Sequence, residues 1–228
     1  MKKGANLIYL LFTAAALVFI ILWQLFFKAG TSFYLVCVIV IVLSLLPFFI
    51  SYENSKPSAR EVSLVAVLSA LAVASRAVFY FVPQFKPIGA VVIVSAVCLG
   101  PQRGYIIGSL SAFVSNFIFG QGVWTPFQML AWGLIGFLAG LLAKKLVESK
   151  VLLIIYGALS GIVFSFIMDV WTTLWADGTF NIARFVASIT TAAPFTVVYM
   201  VSNVIFLLLL TKPIGSKLQR LKTKYGIF

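Results

Sequence analysis

Long apolar runs separated by short polar segments account for nearly the whole chain. Most of these runs approach the ~20 residues that a helix needs to cross ~30 Å of hydrocarbon. We therefore predict an all-α integral membrane protein of about eight transmembrane helices. The predicted spans are 5–27, 32–50, 60–81, 87–100, 104–120, 127–146, 151–175 and 183–211.

Composition agrees with this pattern, because 62% of the residues are hydrophobic and only 10% are charged. A soluble domain is about half apolar and a quarter charged. The run 5–27 exceeds the apolar core of a signal peptide, so we interpret it as an uncleaved first helix. The run 87–100 is short, which predicts a tilted or interrupted helix. The dipeptides Gly100-Pro101 and Lys212-Pro213 are typical helix breakers between spans.

The most polar loop, residues 51–61, divides the chain into two parts of different composition. The two spans before it are bulky and featureless, whereas the six after it are rich in Gly, Ala, Ser and polar residues. We predict a two-helix N-terminal addition over residues 1–59, a six-helix functional core over 60–211 and a basic tail over 212–228.

Basic residues are distributed unequally between the two sides of the predicted bundle, although the net charge is +12. With both termini in the cytoplasm, thirteen Lys or Arg fall on the cytoplasmic side and three on the outer side, which is a strong positive-inside bias. The bias predicts a cytoplasmic surface facing anionic lipid headgroups, in a prokaryotic plasma membrane, and argues against nucleic-acid binding. The three outer residues are Lys28, Lys86 and Arg184.

The sequence holds none of the motifs that would predict catalysis or metal binding. It has no His, no phosphate-binding GxxxxGK[ST] loop and no GxSxG nucleophile motif. Its two cysteines, Cys37 and Cys98, each lie inside an apolar run. We predict a protein that is not an enzyme and that has no covalent cofactor.

Three alanines at four-residue spacing, Ala66, Ala70 and Ala74, form a smooth stripe along the third span. Small residues let helix backbones approach closely in a membrane, where the hydrophobic effect gives helices no reason to associate. The stripe predicts either internal packing or the docking of a partner helix.

Charged residues inside spans are costly and are therefore candidates for function. Arg76 lies near the outer end of the third span, with Tyr80 one turn further on. Asp169 is the only acidic residue in the interior of a predicted span, away from its ends, and its similar depth makes Arg76 its natural partner. A snorkelling or structural arginine, and a proton-carrying Asp169, are the alternatives.

Other polar residues within spans predict hydrogen bonds between helices or the lining of a pocket. Asn116 lies in the fifth span. Tyr199 and Asn203 form a polar stripe with Thr196 on the last span.

The segment 120–129 connects two spans on the outer side and combines Gly120 and Gly122 with Gln121, Trp124 and Gln128. Two glycines allow a tight turn, and the other side chains offer hydrogen bonds and a flat stacking surface. An interfacial aromatic belt, to which Trp171 would also belong, is the simpler interpretation. The Gly-Gln-Gly turn instead favours a loop that covers a ligand.

With these residues identified, the segment 60–211 resembles the substrate-binding S component of an energy-coupling factor (ECF) transporter. The resemblance implies capture of a vitamin outside the cell and delivery by toppling within the membrane. Its implied partners are a transmembrane coupling subunit and two ATPase subunits. It also implies docking on the coupling subunit through Ala66, Ala70 and Ala74.

The stretch from Gly100-Pro101 to Met129 is most similar to S components assigned to cobalamin, which also carry extra N-terminal helices. Riboflavin, pantothenate or another vitamin stays open, as do a self-sufficient proton-coupled transporter that uses Asp169 and a scaffolding protein. The predicted substrate-binding residues are Arg76, Tyr80, Gln121, Trp124, Gln128, Asp169, Trp171, Tyr199 and Asn203.

Overall fold

The computed structural model describes residues 56–226 and the isolated positions 39, 42, 45, 46, 49, 50 and 52–54. The predicted span 5–27, most of the span 32–50 and Cys37 lie outside the described residues. The described part of the chain contains helices and no strand, which confirms the all-α prediction. The helices are α1 (Ala59–Val78), α2 (Ile88–Leu99), α3 (Pro101–Phe119), α4 (Thr125–Leu141), α5 (Ala143–Glu148), α6 (Lys150–Asp177) and α7 (Ile182–Tyr225).

The surface of the helical bundle is apolar, as expected for a protein that is surrounded by lipid. Large hydrophobic side chains such as Val67, Phe117 and Leu209 are each more than half exposed. By length and composition, α1, α6 and α7 are able to cross a membrane. The protein is a multi-pass integral membrane protein.

The short helix α2 occupies the centre of the bundle and packs against α1, α3, α4 and α7. Ile88, Val92 and Ile93 are completely buried within it. At 12 residues, α2 is about 18 Å long, well short of the hydrocarbon thickness. The protein surrounds α2 almost completely, so its length does not have to match the bilayer.

A sharp reversal at Gly100 joins α2 to α3. Gly100 has a φ of +94°, a conformation that residues with a Cβ rarely adopt. Pro101 then occupies the first turn of α3, where its missing N–H costs no hydrogen bond. The predicted breaker therefore ends one helix and starts the next.

Helices α3 and α4 approach each other so closely that their backbones are in contact. A Cβ atom added to Gly104 of α3 would lie 2.7 Å from the carbonyl oxygen of Gly136 in α4. The Ser109 hydroxyl donates a 3.0 Å hydrogen bond to the Met129 carbonyl across the same interface. Dispersion and polar contacts at short range replace the hydrophobic effect as the force that joins the two helices.

Two predicted boundaries differ from the structure. Helix α7 does not end near residue 211 but runs to Tyr225, with a total length of 44 residues that includes Pro194 and Pro213. Beyond Pro213 the helix carries Leu218, which is buried in the core and thereby stabilises the extension. The predicted span 127–146 is divided at Leu142 into α4 and the short helix α5.

We expect Gly104→Ala to destabilise the protein by about 1–3 kcal/mol, because the new methyl group would overlap backbone atoms of Gly136. Thermal unfolding in detergent measures the loss. Gly215→Ala is the matched control, since no atom lies within 4 Å of the added Cβ. Equal melting temperatures for the two variants would contradict close packing of α3 on α4.

Candidate functional site

A cavity of about 480 Å³ lies at the end of the bundle where α1, α3 and α6 end and α2, α4 and α7 begin. Its wall combines aromatic rings with a small number of polar groups, the usual composition of a small-molecule site. The lining residues are Arg76, Pro83, Gln84, Lys86, Ile88, Asn116, Phe119, Trp124, Gln128, Trp132, Phe164, Ser165, Met168, Asp169, Ala192, Phe195 and Tyr199.

Three aromatic residues from three helices form one rigid wall of the cavity. The rings of Trp132 and Phe164 are stacked, with centroids 4.9 Å apart and planes 20° apart. The Trp132 Nε1–H donates a 2.7 Å hydrogen bond to the Tyr199 hydroxyl. Because this bond fixes the indole edge, the three rings form an ordered aromatic wall beside the cavity.

Arg76 is the principal cation of the cavity and is only 8% exposed. Its Nη1 donates to the Ser115 hydroxyl and, over 2.9 Å, to Asn116 Oδ1. The guanidinium carbon lies 4.1 Å from the ring centroid of Phe119 and 4.9 Å from that of Trp132. These cation–π contacts and hydrogen bonds replace the hydration that burial removes.

Arg76 forms no ion pair with Asp169, although both residues line the cavity. The hypothesis that they pair is therefore wrong for this structure. The guanidinium is directed instead to Ser115 and Asn116 on α3, which occupy its Nη1. Its Nε and Nη2 make no hydrogen bond with the part of the chain that the structure describes, so they are available to a ligand.

Lys86 belongs to the loop between α1 and α2 and closes one side of the cavity. Its Nζ donates to the carbonyl oxygens of Phe79 at 2.9 Å, Val82 at 3.1 Å and Tyr80 at 3.4 Å. These acceptors lie just beyond the C-terminal end of α1, where a cation is favourable. Burial, and then the charge of Arg76, lower the pKa of the Lys86 ammonium below its usual value.

Asp169 enters the cavity from α6 and is 8% exposed. Its carboxyl group makes no hydrogen bond or ion pair among the described residues. Thr173, one turn further on, bonds the Asp169 backbone carbonyl rather than the side chain. The carboxyl oxygens therefore offer the cavity unused hydrogen-bonding capacity.

Trp124 lies at the border of the cavity, immediately before α4 begins. Its ring lies edge-on to that of Trp171, with centroids 5.8 Å apart, and Trp171 in turn stacks on Trp175. Trp171 therefore packs against Trp124 but does not line the cavity itself.

Five of the predicted substrate-binding residues share the cavity wall and four lie elsewhere. The five are Arg76, Trp124, Gln128, Asp169 and Tyr199. Outside the wall, Tyr80 is half exposed with its ring 5.0 Å from that of Phe119, and Asn203 is buried with its Nδ2 donating to Ser160 Oγ at 2.9 Å.

Gln121, also outside the wall, is occupied with bonds that shape its own loop. Its Nε2 donates to the Phe113 carbonyl at 2.9 Å, and its Oε1 accepts from the Thr125 hydroxyl at 3.0 Å. The segment 120–129 is divided accordingly, since 120–124 form the loop and residues from Thr125 onward are helical.

Several lining residues carry no signal that sequence reasoning could have used. Trp132, Phe164 and Met168 lie within apolar spans, where aromatic and sulfur-containing side chains are ordinary. Only the packing of α4, α6 and α7 shows that these side chains face a cavity and not lipid. Lys86 is the exception, because the sequence shows it as one of only three basic residues on the predicted outer side, and this signal could have identified it.

Comparison with known families identifies the family of this chain. The model of the family described as "ECF-type riboflavin transporter, S component" matches residues 56–216, more than two thirds of the chain. The chain belongs to this family. No curated protein and no solved structure matches it. Membership makes the chain the substrate-binding subunit of an ECF-type vitamin uptake system and not an enzyme. The match names riboflavin and gives no support to the cobalamin prediction.

We expect Trp124→Ala to weaken vitamin binding by this S component at least tenfold, or ~1.4 kcal/mol. The substitution removes a flat surface from the border of the cavity. Titration calorimetry on the purified chain measures the change. Trp175→Ala is the control, because Trp175 is 56% exposed and does not line the cavity. Equal losses from both substitutions would place the effect in the tryptophan cluster as a whole and not at the cavity.

Proposed function

We propose that this S component captures riboflavin, or a vitamin with a similar planar ring system, in the cavity between α1, α3, α4, α6 and α7. The stacked wall of Trp132 and Phe164 next to the Arg76 guanidinium is the observation that carries this proposal. A planar heteroaromatic ring gains from stacking, and its carbonyl and N–H groups match the polar groups at the border.

Cavity size supports a flavin over a corrinoid. At about 480 Å³, the cavity lies in the lower half of the ~300–1,000 Å³ range that is typical for drug-sized ligands. A corrinoid has several times as many atoms as a flavin and could enter only after the surrounding helices had separated. The riboflavin named by the family match points in the same direction.

The distribution of charge supports a cavity that faces outward, with both termini in the cytoplasm. The connections at the cavity end, 79–87, 120–124 and 178–181, contain one basic residue, Lys86. At the opposite end the segment 142–150 alone contains three, and Arg103 and the end of α7 add more. The positive-inside rule therefore assigns the opposite end to the cytoplasm of a prokaryotic cell.

The alanine stripe is suited to docking on the transmembrane coupling subunit. Ala66, Ala70 and Ala74 are all exposed on the surface of the bundle, so they do not pack inside it. They are flanked by Val67, which is 63% exposed, and Leu71, which is 42% exposed. A flat apolar strip of this kind allows the close backbone approach that joins helices in lipid.

In this proposal the docked chain topples and carries the cavity to the cytoplasmic side. Two ATPase subunits then supply the energy that returns it. The alternative, in which the chain transports alone by protonation of Asp169, has no support from the family match.

To test the ligand, purified protein is titrated with riboflavin while flavin fluorescence is recorded. We expect saturable one-to-one binding with quenching, because the flavin ring would lie against the aromatic wall of Trp132, Phe164 and Tyr199. An excess of cyanocobalamin or pantothenate should not displace the flavin. Displacement by cyanocobalamin, or binding of it in place of riboflavin, would assign the substrate to the corrinoids instead.

We expect Ala70→Trp to abolish copurification with the coupling subunit and vitamin uptake while riboflavin binding by the isolated chain is retained. The large ring would prevent close helix approach on an exposed face that is remote from the cavity. Ala193→Trp is the matched control, because Ala193 is also exposed but belongs to α7. Loss of uptake in both variants would mean that bulk in the lipid-facing surface, not docking, is responsible.

A further inference from the structure

Asn116 lies at the centre of a hydrogen-bond network that joins the cavity to the loop 120–124, called the outer loop below. The residue is 1% exposed and projects from α3 between Arg76 and α4. Its Oδ1 accepts from Arg76 Nη1 at 2.9 Å. Its Nδ2 donates to Thr125 Oγ1 at 2.9 Å and to Gln128 Oε1 at 2.8 Å.

The chemistry of the partners fixes the orientation of the Asn116 amide. A guanidinium can only donate, so the atom that faces Arg76 must be the oxygen. Both N–H groups of the amide then point toward α4, where two oxygen acceptors receive them. Every polar atom of this buried side chain has a partner, and a satisfied network of this kind holds its members rigidly.

Thr125 extends the network from α4 into the loop 120–124. Its hydroxyl oxygen accepts from the Gly122 backbone N–H at 3.3 Å as well as from Asn116. Its hydroxyl hydrogen is donated to Gln121 Oε1 at 3.0 Å. Neither Thr125 nor Gln121 lines the cavity, yet together they fix the loop that ends in Trp124.

We propose that Asn116 is a positioning residue that couples the Arg76 guanidinium to the outer loop, so that ligand contact with Arg76 and placement of Trp124 over the cavity occur together. The proposal rests on the proposed function in treating the cavity as the vitamin site. It explains why an amide side chain, which can both accept from the cation and donate to α4, lies at this position. Loosening the loop should therefore weaken the contact between Arg76 and the ligand. Removing the Arg76 guanidinium should in turn loosen the loop.

The first experiment needs no ligand. Hydrogen exchange of the loop amides at residues 120–124 is measured in the wild type, in Arg76→Met, in Asn116→Ala and in the double variant. We expect Arg76→Met to accelerate exchange several-fold, and to add nothing further once Asn116 is alanine. If Arg76→Met still accelerates exchange in the Asn116→Ala background, the Phe119 ring transmits the effect and the proposal is wrong.

The second experiment measures riboflavin affinity for Thr125→Val, Arg76→Met and the double variant. Thr125→Val keeps the side-chain shape but removes the hydroxyl that joins Asn116 to the loop. We expect it to weaken binding about tenfold, mainly through faster dissociation. We also expect the fold-loss of affinity in the double variant to be clearly smaller than the product of the two single fold-losses, because the effects of coupled residues are not additive in free energy. Thr190→Val is the control, because its hydroxyl bonds only the Val186 carbonyl of its own helix.

The outcomes separate this proposal from the proposed function. If Thr125→Val binds riboflavin with wild-type affinity, or if the affinity losses of the two single variants multiply in the double variant, the coupling is wrong and the riboflavin assignment is unaffected. If the wild type binds no riboflavin, the substrate assignment fails, and the exchange experiment still decides whether Asn116 couples the loop to Arg76.

Discussion

The solvation of one buried guanidinium organises the cavity end of this protein. An arginine in the membrane region costs several kcal/mol unless protein groups replace water around it. Here α3 provides the Ser115 hydroxyl and the Asn116 amide, and the rings of Phe119 and Trp132 lie against the cation. Because the groups that solvate the guanidinium come from α3 and α4, they hold these helices against α1. The cavity lies next to Arg76, which forms part of its wall.

The same end of the bundle depends on the close contact between α3 and α4. Because Gly104 and Gly136 remove side-chain bulk from the interface, the backbones approach within van der Waals distance. Only at that separation can the Asn116 amide reach Thr125 and Gln128 on the neighbouring helix. A packing contact near the start of α3 and the end of α4 thus helps to set the geometry of the polar contacts at the cavity end of the same two helices.

The sequence predicted the helices better than the site, and the reason is physical. Apolar run length is a local property that located the helices of the described region, including the short α2, although it joined α4 and α5 into one span. Residues such as Asp169 and Arg76 were recognisable because a charge in a span is costly. By contrast, the direction in which Trp132 or Phe164 points depends on three-dimensional packing, which hydropathy does not report. Gln121 was chosen for its residue type, but in the structure its amide is occupied within the loop.

The separation of Arg76 from Asp169 bears on the kind of vitamin that the cavity, as the proposed binding site, would accept. Lys86 is already engaged with three carbonyl oxygens at the end of α1, so Arg76 is the cation with free donors. A ligand that contacts both Arg76 and Asp169 needs an acceptor on one side and a donor on the other. A heteroaromatic ring with alternating carbonyl and N–H groups has both, and it also fits the stacked wall of Trp132 and Phe164. A flexible chain such as pantothenate would leave that wall unused and would lose more conformational entropy on binding. The unpaired charges therefore favour a neutral, planar vitamin, in agreement with the size of the cavity.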